Sequence, residues 1–517
     1  MAKVSLDALI PREAFEVQDQ KGQNIGRNIR DLSIRDLETN SFFFTYVRKP
    51  DFQRETNEWD TQKICDFLES FLDGDLIPAV ILWSSASSYT FVIDGSHRLS
   101  ALAAWINDDY GDGEISKNFY DGYIPDDQLQ AAQEARKLIN NKIGSFRDYQ
   151  LSTQFPDKVD QKIISRARNL GRLAIQLQWV EGDASKAEAS FFKINQQAAP
   201  IDETELRLIK ARRKPNGVAA RAINRSGNGH KYWSEFSPKK QGEIEDIAKE
   251  VNEILFHPKL ENPIKTLDLP IGGKNYSSDS LTLILEFINI VNSVNESKLE
   301  DDLTGDKTIE FLIKCRKIAR RINSSHASSL GLHPVIYFYS ADGRHKIGSF
   351  YAVVDLMLEF EAKNYFKKFT QVRTEFESII WEYEHLVPEI VRKYRSAIKG
   401  YKSVRNFYLN IINELLQGTD KDSVIRKLIA AQDFSYLNIK PKDKNSNINS
   451  KNFSRETKSA AFIREALCGI PKCKICNGYL HRNSISIDHI QRKEDGGLGS
   501  LENAQLTHPY CNTTIKN

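Results

Sequence analysis

Residues 473–497 read CKICNGYLHRNSISIDHIQRKEDGG, and residues 501–512 read LENAQLTHPYCN. Two sets of ligands interlock in these lines. Cys473 and Cys476 form one C-x2-C knuckle, and His508 and Cys511 form an H-x2-C knuckle. Three thiols and an imidazole at that spacing suit tetrahedral Zn²⁺. Between the knuckles stand Asp488 and His489, followed by Asn503 and Asn512. A carboxylate beside a histidine, with a later amide oxygen, suits a hard divalent cation and leaves a base for water. Knuckles alone would equally describe a ribbon that only grips nucleic acid or protein. Asp488, His489, the Gly496-Gly497 pair and the two asparagines turn the reading toward hydrolysis.

The stretch from about residue 468 to 517 resembles the HNH (ββα-metal) endonucleases in their zinc-ribbon form. The resemblance implies that His489 is the general base and that Asp488 and Asn512 hold one Mg²⁺ or Mn²⁺. It implies that Asn503 pins the loop that orients His489. The second knuckle commonly carries two cysteines. His508 stands in the first of those places, so a Cys₃His site with a structural Zn²⁺ is expected. The closing helix of the motif is expected to be short.

The whole chain has 517 residues, 40% hydrophobic and 27% charged, which suits several folded domains. Net charge is only +3. From Leu437 to Asn517 there are 13 Lys and Arg against 7 Asp and Glu, which leaves the rest of the chain at −3. A basic C-terminal segment fits contact with phosphates. Cys65, Cys315 and Cys468 are scattered and do not form a disulfide framework. The N-terminal residues lack the apolar core of a secretory signal, and no apolar run reaches membrane-spanning length. A cytoplasmic location is expected.

Toward the N-terminus, residues 61–72 place apolar side chains at helical spacing, with Asp60 or Thr61 as N-cap and Gly74 and Pro78 as breakers. Residues 79–83 and 89–93 read as two strands around a Ser-rich turn. The second strand runs into Asp94, Gly95, Ser96, His97 and Arg98, then into an Ala- and Leu-rich helix. A strand, a Gly turn and a helix N-terminus carrying His and Arg make an anion site. The orphan N–H groups face the ligand, and Arg98 suits a phosphate.

Gln53-Arg54, Trp59, Ile77-Pro78 and Asp94–Arg98, in that order, resemble the ParB/sulfiredoxin-like domain of GmrS-type and SspE-type restriction proteins. Residues 191–207, FFKINQQAAPIDETELR, resemble that family's later conserved stretch and follow an expected strand over 174–179. The resemblance spans about residues 28–215. It implies a nucleotide-binding, often NTP-hydrolysing, sensor that controls an attached nuclease. Arg54, Asp94, Gly95, Ser96, His97, Arg98 and Asn195 are the residues it assigns to the nucleotide. Ser96 stands where the family usually has Gln, which shortens the side chain's reach.

Residues 210–233 interleave Lys and Arg with Tyr232 and Trp233, a pattern that suits a nucleic-acid backbone or simply a solvated helix face. Residues 240–435 read as core helices, with 281–291 and 350–360 as the most apolar segments. The stretch 342–345, DGRH, reads as a coincidental loop. Residues 436–458 are rich in Asn, Ser and Lys, a linker composition.

The expected architecture is multidomain α+β. Its parts are a lead-in over 1–27, a ParB-like α/β domain over 28–215, a mostly helical middle over 216–435, a linker over 436–458 and a ββα-metal (HNH) domain with a zinc ribbon over 459–517. The expected activity is DNA cleavage in a prokaryotic restriction or anti-phage system, regulated by NTP and directed by kinship of layout at modified DNA. Expected partners are DNA and a nucleoside triphosphate, with no membrane contact, and the helical middle serves as scaffold or dimerisation surface. Two other readings stand beside this one: a regulatory protein that grips DNA without cutting, and an NTPase with a zinc-stapled DNA-binding end.

Overall fold

The computed structural model describes residues 3–13, 15, 29–53, 56–57, 59–85, 89–198, 203–275, 278–439 and 452–516, with backbone only at 195–198 and 278–279. The chain divides into two compact units, residues 1–212 with 228–232, and residues 213–227 with 233–517. The architecture is mixed α/β and mostly helical.

The first unit is built on a six-stranded sheet in the order β1-β3-β5-β4-β6-β2. Its strands are β1 (Arg12–Glu13), β2 (Asp31–Ser33), β3 (Val47–Pro50), β4 (Val80–Ser84), β5 (Thr90–Asp94) and β6 (Ala174–Trp179). β4 and β5 pair antiparallel at the centre, while β3 runs parallel to β5 and β6 parallel to β4. The central strands are apolar on both sides because both faces are covered. Val80, Leu82 and Val92 point into one core with the helices Thr61–Asp73 and Ser96–Ile106. Trp83, Phe91 and Ile93 point into another with Phe52 and Phe191. The two-residue alternation along β4 and β5 thus feeds two cores.

Helix Thr61–Asp73 begins where Asp60 accepts from the Lys63 N–H at 2.9 Å and ends at Gly74, φ 78°. A side-chain cap of this kind contributes about 1 kcal/mol, and Gly74 takes the left-handed turn without a Cβ penalty. The N-terminal residues are part of this unit. Asp7 is buried and accepts from the Lys49 ammonium at 2.8 Å, the Thr56 N–H at 2.9 Å and the Arg12 guanidinium. That network ties residues 3–13 beside β3, where β1 joins the sheet edge.

The second unit packs long helices around Ile347–Lys363, which is buried along most of its length and ends at Asn364, φ 50°. Helix Ala397–Leu416 packs beside it, and helix Phe366–Glu382 packs against Ala397–Leu416. Helix Pro215–Asn224 is buried almost throughout, and Trp233 is 1% exposed with its indole N–H on Glu245 at 2.9 Å. The basic stretch around 210–233 therefore offers no Trp233 stacking platform, because the indole is used in the core. The segment 342–345 forms the turn closed by the Tyr339–His345 bridge, as its loop reading expects.

The same unit carries helix Arg455–Ala466, then the hairpin β7 (Ser486–His489) and β8 (Ala504–Thr507), then one π-helical turn, Cys511–Ile515. This C-terminal module is seated on the helices rather than free of them. The Ile264 N–H donates to Ser459 at 3.0 Å, Asn483 donates to the His257 carbonyl at 3.1 Å, and Tyr510 N–H donates to the Ser329 carbonyl at 2.9 Å. Most of the expected linker, residues 440–451, lies outside the described residues. No helix among the described residues is long and apolar enough to cross a membrane.

Candidate active site

The four knuckle residues Cys473, Cys476, His508 and Cys511 converge, each buried, with their ligand atoms all within 4.8 Å of one another. The first knuckle turns because Cys473 exchanges backbone bonds with Asn477 and Gly478, at 2.9 Å each, and Asn477 takes φ 53°. The N–H groups of Ile475 and His508 both donate to the Cys473 sulfur at 3.4 Å. His508 Nε2 lies 3.0 Å from the Tyr479 carbonyl. That carbonyl only accepts, so the proton belongs on Nε2 and the Nδ1 lone pair faces the sulfurs, 3.3 Å from Cys476. Donation from Cys476 and Cys511 holds the Cys473 thiol well below its ordinary range, and the same contacts push Cys511 up. A thiolate nucleus with a neutral, oriented imidazole is the donor chemistry of a structural Zn²⁺ site.

Asp488 and His489 close β7. Asp488 is 6% exposed, and its Oδ2 accepts from Gln505 at 2.7 Å and from Lys516 at 2.8 Å. Lys516 also donates to the His489 carbonyl. His489 is half-buried at the strand end, opposite Ala504. Asn512 donates its amide to Ser486 Oγ at 2.8 Å, which lays the side chain against β7 two residues before Asp488. Asn503 accepts from the Gln491 N–H at 2.7 Å and donates to the carbonyls of Leu498 at 2.7 Å and Gln491 at 3.2 Å. One side chain thus staples both ends of the loop that leaves His489. The site offers hard oxygens at Asp488 and Asn512, which suit Mg²⁺ or Mn²⁺. The soft ligands are gathered separately in the knuckles.

In the first unit, Asp94 ends β5, Gly95 makes the turn, and Ser96, His97 and Arg98 open helix Ser96–Ile106. Gly95 has φ 99°, and a Cβ there would meet Val80 Cγ2 at 2.7 Å and Arg98 Nη2 at 3.0 Å. Arg98 Nη2 donates to Asp94 at 2.9 Å and to the Ala79 carbonyl at 3.1 Å. Its Nε is buried with no hydrogen-bond partner among the described residues. His97 stacks on Trp59, ring centroids 5.6 Å apart. Ser96 is buried at the helix start. Asn195 lies in helix Ala184–Ala198, which packs against β5, but its side chain lies outside the described residues, as does Arg54 altogether.

Residues 33–212 match the family model for the GmrSD restriction endonuclease N-terminal domain. Residues 473–517 match that for HNH endonucleases. The chain carries the domain pair of a GmrSD-type restriction fusion. No curated protein and no solved structure matches it. The two matches together support a restriction endonuclease, a nuclease-type hydrolase, and the HNH domain implies a DNA substrate and divalent metal.

Several functional neighbours of the HNH domain escape a reading by motif. Gln505 and Lys516 on Asp488 are one example. Arg373 and Glu377 are another, from helix Phe366–Glu382 of the second unit. Arg373 is wholly buried, and its Nη1 lies 3.3 Å from His508 Nδ1. Glu377 accepts the Tyr479 N–H at 3.0 Å. The available signal is a charged pair at i, i+4 on the apolar stripe of Phe369, Phe376 and Ile380.

Proposed function

We propose that the chain is a DNA endonuclease of a prokaryotic restriction or anti-phage system. In this reading the C-terminal ββα-metal domain cuts, and a ParB-like N-terminal domain binds NTP and gates the cutting. The observation that carries it is the separation of donors: Asp488 and His489 stand at the end of β7 beside Asn512, while the four soft ligands are spent in the buried knuckles. The domain limits follow the sequence, 28–215 for the sensor, 216–435 for the helical middle and 459–517 for the nuclease, in the cytoplasm.

His489 takes the proton from a water whose oxygen bonds to phosphorus, and the P–O3′ bond breaks. The products are a 5′-phosphate and a 3′-hydroxyl. Asp488 and Asn512 would hold Mg²⁺ or Mn²⁺, which would stabilise charge on the phosphate oxygens. Asn503 fixes the loop after His489 and so the orientation of the ring. Asp488 is oriented by Gln505 and Lys516. The Zn²⁺ of Cys473, Cys476, His508 and Cys511 is structural, since protein fills all four places.

Support for nucleotide binding comes from the unpartnered Arg98 Nε and from the helix N-terminus at Ser96, where N–H groups and the helix dipole favour a phosphate. Arg98 would exchange its bond to Asp94 for the ligand, with Arg54, His97 and Asn195 as further contacts. Modified DNA is the proposed target class. Titrating ATP and GTP into a plasmid assay with Mg²⁺ or Mn²⁺ tests both ends together. Cleavage that changes with nucleotide is expected, and the change disappears in Arg98→Met. Absence of cleavage by wild type with any nucleotide, metal or DNA modification refutes the nuclease reading. Nucleotide hydrolysis without cleavage would favour an NTPase whose zinc-stapled end only binds DNA.

A further inference from the structure

The interior between the first knuckle and helix Phe366–Glu382 holds a charge that the cleavage chemistry does not use. Arg373 is 0% exposed. Its guanidinium makes three described hydrogen bonds besides the approach to His508. Nε donates to Glu377 at 2.7 Å, Nη1 to the Leu330 carbonyl at 2.5 Å and Nη2 to the Gly331 carbonyl at 3.0 Å. Its CZ also stands 6.0 Å from the Phe369 ring centroid. Glu377 in turn accepts from the Tyr337 hydroxyl at 3.0 Å and from the knuckle's Tyr479 N–H at 3.0 Å. Thr374, one residue on, donates to the Cys476 carbonyl at 3.1 Å.

Two glycines show that the surfaces are fitted to each other. A Cβ at Gly478, in the knuckle, would run into the Arg373 guanidinium. A Cβ at Gly331, on the helical side, would meet His508 Cδ2 at 2.5 Å and Ser484 Oγ at 2.8 Å. Each side therefore leaves out a side chain where the other presents a functional group.

We propose that Arg373 is a positioning residue of the metal cluster: it is the buried counter-cation of the three thiolates, and with Glu377 it makes the helical body part of the metal grip. Three thiolates and one Zn²⁺ leave a net charge of −1 in a dry interior, and a buried charge is costly unless it is paired. Arg373 supplies the opposite charge in a fixed plane, which a point-charged lysine cannot reproduce. Glu377 and the two carbonyls hold that plane. Partners outside the ligand shell typically carry 10–100-fold in metal affinity. The inference rests on the Cys₃His cluster being a metal site, and the wild-type titration below tests that separately.

The test uses the full chain, stripped of metal and titrated with Co²⁺, whose thiolate charge-transfer bands report tetrahedral sulfur ligation. Wild type is expected to bind one Co²⁺ with those bands. Arg373→Met keeps the volume and loses the charge, and Arg373→Lys keeps the charge and loses the fork. Methionine at 373 is expected to weaken Co²⁺ by about 10–100-fold at a temperature where circular dichroism shows the chain folded, with lysine recovering part of that loss. A purely structural role would lower the melting temperature of both variants and leave Co²⁺ affinity alone. Affinity of folded Arg373→Met within threefold of wild type overturns the proposal. If that variant does not fold, Arg373→Lys carries the test: weakened Co²⁺ binding supports the proposal and wild-type affinity overturns it. Absence of Co²⁺ binding by wild type removes the metal site itself, and the proposal with it.

Discussion

His481 offers a test of how tightly the C-terminal module is seated. Its side chain is wholly buried, Nδ1 lies 3.2 Å from Asn323 Oδ1, and Asp268 stands 3.8 Å from Nε2 at a partly exposed position. Asn323 is oriented by donating to the Leu332 carbonyl at 2.9 Å, so its oxygen accepts from a neutral imidazole protonated on Nδ1. Burial, reinforced by Arg482, pulls the His481 pKa down from 6.5 to about 3. Between those values the unfolded chain binds a proton that the folded chain refuses, so stability is full above pH 6.5 and is lost as pH falls toward 3. Linkage puts the loss at about 1.4 kcal/mol per pH unit in that window, or about 2 kcal/mol between pH 7.5 and pH 5. Asn at position 481 keeps a donor near Nδ1 and cannot titrate. Urea unfolding of wild type and His481→Asn, each in excess Zn²⁺, measures the gap between them at both pH values. Protons taken up by the knuckle residues affect both proteins alike. The wild-type advantage is expected to shrink by about 2 kcal/mol on acidification. A gap that stays constant to within about 0.5 kcal/mol refutes the buried neutral histidine.

Gly95→Ala imposes a side chain at φ 99° and against Val80 and Arg98. A cost of about 1–3 kcal/mol is expected, read by thermal melting, together with loss of nucleotide binding in equilibrium dialysis. Asn503→Ala removes the staple across residues 491–498. Cleavage rate is expected to fall by about 10²-fold through misplacement of His489, with the melting transition nearly unmoved because Asn503 is solvent-accessible.

Local rules carried much of the fold. The cap at Asp60, the stop at Gly74, the paired strands β4 and β5 and the four knuckle ligands are all short-range patterns, and each is where those patterns put it. What escaped is long-range. Asp7 is satisfied by Lys49 and Thr56, more than forty positions away, so the N-terminal residues read as a polar lead-in although they complete a sheet edge. Trp233 reads as an exposed aromatic among basic residues, yet its partner Glu245 is on the next helix and takes it into the core. Arg373 belongs to no motif, because the knuckle residue it approaches, His508, comes 135 positions later. Lys516 likewise gains its meaning only when the last turn folds back on Asp488. In each case a polar group is interpretable only beside a partner that the fold delivers.

The central claim is that His489, on a strand end shared with Asp488, drives metal-dependent hydrolysis of DNA. Supercoiled plasmid incubated with the full chain, Mg²⁺ or Mn²⁺ and nucleotide, compared with His489→Ala of matched circular dichroism and zinc content, measures it directly. The account predicts nicked or linear product from wild type with ends that ligase reseals, as a 5′-phosphate and 3′-hydroxyl require, and loss of product by at least about 10²-fold in the variant. Equal cleavage by His489→Ala, or cleavage by wild type that persists in excess chelator, would contradict it.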